Sequence, residues 1–162
     1  MPERTAGRTL QQEIRQSRPF RSQSQEATIA LMRSASVVSR RFARVVEPHG
    51  LSLAQYNVLR ILRGAGADGL PTLAIRDRMI DEGSTVTRLL DKLEKALLVS
   101  RDRSRPDRRQ VLCRITTQGD ELLALLDPQI DATDLTTMAM LTTEQRQSLL
   151  SILTAIRAGL SE

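Results

Sequence analysis

The chain has 162 residues, enough for one domain with a core of its own, and only 2% of them are aromatic, with no Trp; that composition argues against a β-sandwich or barrel and for helices. One cysteine, Cys113, excludes an intrachain disulfide and CxxC-type metal sites, and one histidine, His49, leaves a zinc or iron centre to rest mostly on carboxylates. Net charge is +5 but unevenly placed: residues 84–116 carry nine Lys/Arg against four Asp/Glu, and residues 117–162 carry two against seven.

There is no run of 18 apolar residues and no pattern of basic start, apolar stretch and small-residue cleavage site. A soluble cytoplasmic protein without membrane partner or cofactor is the expectation. Residues 1–24 are polar, Arg/Gln/Ser-rich and aperiodic, which predicts a flexible arm. A helix follows from about Gln25 to Val46. Its residues Leu31, Ala35, Val38, Phe42 and Val45 step by 4, 3, 4 and 3, a narrow apolar stripe suited to packing on other helices. Pro48 and Gly50 end it, with His49 a plain turn residue between them.

Ser52 is placed to cap a second helix reaching about Arg63. Gly64, Gly66 and Gly69 read as a loop. Pro71 suits the first turn of a short third helix through about Met79, with Leu73 and Ile75 turned to the core. Met32 and Met79 read as core filler. Asp81 to Gly83 form a turn, and Ser84 is placed to cap a fourth helix to about Leu97. At 100° per residue, Val86, Leu89, Leu90, Leu93 and Leu97 fall on one side. Ser84, Thr87, Arg88, Asp91 and Lys95 fall opposite, with Lys92 on the margin.

A hairpin comes next: one strand near Val99 to Arg103, an arginine-laden turn at Arg105 to Arg108, and a second strand from Arg109 to Ile115. Val111, Cys113 and Ile115 alternate onto one face, so Cys113 reads as a small buried apolar group. A fifth helix starts near Thr117, and Pro128 is expected to bend or interrupt it. A last helix starts at Thr142 with Gln145 three residues on, a capping-box arrangement. Leu149, Leu150, Leu153 and Ile156 form its apolar face.

Charge runs are usually solvated loops. This one stands directly behind a helix whose outer face carries short donors and cations. Such a helix fits the major groove, where its amides and hydroxyls bind phosphate and an arginine reaches a guanine edge bidentately. The short helix and tight link before it complete a helix-turn-helix, with the fourth helix as reader. The hairpin is then a wing whose cations lie on the backbone or enter the minor groove. No G-x-S-x-G, H-E-x-x-H, Walker or G-x-G-x-x-G pattern supports an enzyme.

The segment STVTRLLDKLEKALLVSRDRSRPDRRQVLCRITTQG, residues 84–119, resembles the winged helix-turn-helix of MarR-type transcriptional regulators. The shared elements are the TRLLDKLE helix at Thr87 to Glu94, the DRR wing at Asp107 to Arg109, and ITTQG at Ile115 to Gly119. LSLAQYNVLRIL, Leu51 to Leu62, resembles the family's second helix. RMIDEGST stands in place of the more usual LGLSPST-like turn, and the cysteine of the family's redox-sensing branch is missing from the first helices. The resemblance implies a mainly α fold with a small β-wing. It implies a homodimer on a pseudo-palindromic stretch of double-stranded DNA, a repressor more than an activator, released by a small-molecule effector.

By that match residues 25–50 and 117–162 form the dimerisation region and residues 51–116 the DNA-binding domain. Ser84, Thr85, Thr87, Arg88 and Lys92 face the major groove. Arg103, Arg105, Asp107, Arg108 and Arg109 form the wing, with Arg109 in the minor groove and Asp107 orienting a neighbouring guanidinium. The alternative is a winged helix used as a protein-interaction adaptor without sequence-specific DNA binding.

Overall fold

The computed structural model describes residues 8–81, 83, 85–102 and 111–160. The chain divides into two compact units, residues 1–40 and 41–162. In the first unit, the stretch read as an arm contains a four-residue helix, α1 (Leu10–Glu13). The Thr9 hydroxyl accepts from the Gln12 N–H and the Gln12 side chain accepts from the Thr9 N–H, so this turn closes on purely local chemistry. Glu13 pairs with Arg33 at 2.9 Å. The long helix α2 (Gln23–Val46) starts here and runs on into the second unit. Met32, expected in the core, is 68% exposed. It lies off the Leu31–Val38 stripe, so helical periodicity turns it outward.

In the second unit, α2 ends in a 3-10 turn, Glu47–His49, and Gly50 supplies the left-handed residue (φ 76°) that stops it. Ser52 and Gln55 form both bonds of a capping box for α3 (Leu53–Ala65). A two-residue strand, β1 (Leu70–Pro71), leads into α4 (Thr72–Arg76). Helix α5 (Val86–Lys95) and strands β2 (Val99–Asp102) and β3 (Leu112–Ile115) follow. Helices α6 (Thr117–Met138) and α7 (Thr143–Ala158) close the chain.

The strands form one antiparallel sheet in the order β1-β3-β2, with Val99 opposite Ile115, Asp102 opposite Leu112, and Leu70 opposite Cys113. Strand β1 carried no sequence pattern, because two residues are too few to alternate. Gly69 lets it pair: at φ 68° a Cβ would stand 2.5 Å from the Cys113 carbonyl oxygen. Gly119 serves similarly at the start of α6, where a Cβ would strike the Leu98 carbonyl.

The core of this unit gathers Leu59 and Leu62 of α3, Ile75 of α4, Leu90 and Leu93 of α5, Cys113 of β3, and Leu123 and Leu126 of α6. All are fully buried, so every element of the helix-turn-helix contributes to one interior. Burial also raises the Cys113 thiol pKa above its ordinary value, as suits an apolar filler.

Two further expectations are corrected. Leu73 points out of α4 and is 58% exposed, because a five-residue helix turns only one narrow face, that of Ile75, to the core. Leu97 is 68% exposed. Helix α5 stops at Lys95, Leu97 adopts φ 61°, and the Leu98 N–H reaches back to the Leu93 carbonyl at 2.9 Å. The reversal carries Leu97 outward and buries Leu98 instead. Of the two outcomes expected at Pro128, interruption does not occur: it lies inside α6, which runs from Thr117 to Met138.

Candidate nucleic-acid interface

The inward residues of α5 are set by spacing. Val86, Leu90 and Leu93 are buried and Leu89 is half-buried, which leaves Thr87, Arg88, Asp91, Lys92 and Lys95 exposed on the outer side. The N-cap position belongs to Thr85, whose side chain makes no capping bond. Ser84, expected to cap this helix, lies outside the described residues. Four of the five residues expected on the reading surface are exposed: Thr85 at the N-cap of α5, and Thr87, Arg88 and Lys92 along it. The wing residues Arg103, Arg105, Asp107, Arg108 and Arg109 also lie outside the described residues.

The link from α4 to α5 is pinned from below. Met79 is buried, and the Ile80 N–H donates to the Asn57 side-chain oxygen of α3 at 2.9 Å. The Gly83 N–H donates to the Asp81 carboxylate at 3.1 Å. Nothing in the sequence marks Asn57, because a polar residue inside a helical stretch has no spacing that announces its partner.

The strands at the base of the wing carry two arginines that are not free for a ligand. Arg114 donates to the Ala67 carbonyl at 2.9 Å and lies 3.8 Å from Asp102. Arg101 reaches across to α5 and bonds Asp91 at 2.7 Å. Both belong to the basic run of residues 101–114, yet they serve internal bonds.

On the other side of α3, Arg63 makes a two-pronged pair with Asp127 of α6, both bonds at 2.8 Å, and Arg60 adds a third contact at 3.2 Å. Arg63, with Arg60 in support, holds the Asp127 carboxyl below the usual carboxylate range against the opposing effect of partial burial. Nearby, burial raises the Tyr56 hydroxyl. Among the described residues, no three His, Cys, Asp or Glu side chains gather as metal ligands, and no helix is long and apolar enough to cross a membrane.

Comparison with known proteins decides the family. The family model Transcriptional regulator SarA/Rot matches residues 40–126, from the end of α2 into α6. A solved MarR transcription factor from Planctomyces limnophilus is 30% identical, with a TM-score of 0.65 over 85% of this chain and 99% of its own. The chain belongs to the SarA/Rot and MarR winged-helix transcriptional regulators. Members of this family are regulators, not enzymes. The regulator TtmR of Methylorubrum extorquens is 31% identical over 128 residues, 79% of this chain, and the match spans 64% of that protein's length. The MepR–DNA complex of S. aureus shares the fold with a TM-score of 0.74 at 24% identity, over 87% of this chain and 99% of its own. The mainly α architecture with a small antiparallel sheet is thus that of the family's winged helix.

Proposed function

We propose that this chain is a sequence-specific DNA-binding repressor that works as a homodimer on a pseudo-palindromic operator and is released by a small-molecule effector. The observation that carries the reading is the division of α5 into a buried apolar face and an exposed face of Thr87, Arg88, Lys92 and Lys95, directly before two paired strands, β2 and β3, whose connecting sequence includes RSRPDRR. A helix of this kind docks in the major groove, and its cations displace the counterions of the phosphates. The tip residues Arg103, Arg105, Arg108 and Arg109 supply the wing's contacts, Arg109 to the minor groove, and Asp107 orients one of them.

Dimerisation has support in α6 and α7, where Leu125, Leu135, Leu150 and Ile152 stay exposed in the single chain. In a two-fold dimer the two reading helices should stand about 34–36 Å apart, one turn of duplex. An effector that binds one separation better than the other shifts the population by its differential affinity.

The test is a gel shift with DNA from upstream of the chain's own coding sequence, against unlabelled competitor, followed by a salt titration. Binding whose logarithm falls linearly with the logarithm of salt is expected, with a shallower slope for Arg109→Ala. An affinity indifferent to salt and sequence would return the fold to the adaptor reading.

A further inference from the structure

We infer that Arg101 is a positioning residue for DNA binding: it neutralises the carboxylate on the outer face of α5 and locks the rotation of that helix against the wing. This rests on the DNA-binding reading above.

The outer face of α5 contains a contradiction. Asp91 lies one turn on from Thr87 and Arg88, on the same side, and is 58% exposed. A bare carboxylate there would repel the phosphates that Arg88, Lys92 and Lys95 attract. Arg101 removes the conflict. Its Nη1 lies 2.7 Å from the Asp91 Oδ1 and 3.5 Å from a Glu94 carboxylate oxygen. Its Nη2 donates to the Thr87 carbonyl at 3.2 Å. One cation thus faces two acids and a backbone carbonyl of two successive turns.

The placement of Arg101 makes this a fixed device. Only 10% of its side chain is exposed, and it comes from β2, opposite Cys113 in the sheet. An arginine on a solvated tip would spend its charge on phosphate. This one is turned under the helix. Its planar fork holds a backbone group and a side chain at once, which a flexible ammonium cannot reproduce. Because the anchor is a strand of the wing itself, α5 and the hairpin keep one relative setting.

The experiment uses the full chain and fluorescence anisotropy on two labelled duplexes, one from DNA upstream of the coding sequence and one scrambled. Arg101→Met keeps the apolar stem and removes the charge. Its affinity for the upstream duplex should fall about tenfold, the scale of one lost charge-assisted bond. Adding Asp91→Asn to that variant should recover most of the loss, which a general weakening of the fold would not do. Asp91→Asn alone should bind at least as tightly as the native chain.

If the native chain binds neither duplex, the DNA-binding reading fails and takes this inference with it. If the native chain binds and Arg101→Met binds within twofold of it, the role of Arg101 falls while DNA binding stands. Failure of Asp91→Asn to rescue, or a tenfold loss from that single change, also overturns it. Should Arg101→Met not fold, the Asp91→Asn result decides alone.

Discussion

Helices α5 and α7 are both amphipathic, and they are stable for opposite reasons. Thr85 gives the start of α5 no capping bond, and the end of the helix forces a leucine into a left-handed conformation. Yet Leu90 and Leu93 are completely buried. In α7, Thr142 and Gln145 form a full capping box. Yet no residue of α7 is buried. Packing therefore holds α5 in a shape its local sequence resists. Local chemistry holds α7, on which Leu150, Ile152 and Ile156 stay exposed. On the reading proposed above, α5 takes its shape within the single chain, and α7 offers its exposed apolar residues to a second copy.

The sharpest way to break this contrast is to cut the same side chain from each. Leu90→Ala should cost about 2–5 kcal/mol, because it opens a cavity among α3, α5 and α6 residues that cannot fully collapse. Leu150→Ala should cost under about 0.5 kcal/mol in the single chain, since it is exposed there. Denaturant melts at low protein concentration measure both. At higher concentration Leu150→Ala should also weaken self-association by sedimentation. Equal losses at dilution would mean that α7 packs on its own chain after all.

Helix α6 stands between the two, with Leu123 and Leu126 buried and Leu125 exposed. Asp127 holds it to α3, so Asp127→Asn should cost roughly 1–2 kcal/mol, discounted for a pair about one-third exposed. The sign with pH follows from the depressed carboxyl. Folded chain binds fewer protons than unfolded chain near pH 4, so the clasp is fully present above the ordinary carboxylate pKa of about 3.9 and is lost as pH falls through the lower folded value. Acid melts of the native chain should steepen there, and those of Asp127→Asn should be flatter. Identical acid profiles would show that the α3–α6 seam does not depend on this pair.

Much of this organisation was legible in the residues. Ser52, Gly50 and the Thr142–Gln145 pair act through neighbours three or four positions away, and helical spacing alone divided α5 into its two faces. What stayed hidden depends on groups distant in sequence. Asn57 holds a backbone N–H twenty-three positions on, Asp127 meets arginines more than sixty positions back, and β1 exists only because β3 is there to pair with it. Arg101 is the instructive case. In the sequence it counts as one more cation of the wing, and only its place on β2, turned under α5, separates it from the others. At Leu97 the helical periodicity continues past the point where the helix stops, and Met32 lies off the apolar stripe of α2.

The smallest effects lie at the helix ends, where the contrast can be reversed. Thr142→Ala removes the hydroxyl that accepts from the Gln145 N–H and should cost α7 about 1 kcal/mol. Leu97→Gly should act the other way on α5. Its φ of 61° suits glycine, and the exposed side chain loses little contact when removed. Relief of left-handed strain is about 1–2 kcal/mol, offset by the greater freedom of glycine in the unfolded chain. The net should be a gain of under about 1 kcal/mol, read as a rise of a few degrees in Tm. The two bonds that close the turn, from Leu97 to the Glu94 carbonyl and from Leu98 to the Leu93 carbonyl, need no side chain at position 97 and should persist. A lower Tm for Leu97→Gly would mean that the leucine is held there by a contact of its own, and that the end of α5 is less strained than its backbone angle implies.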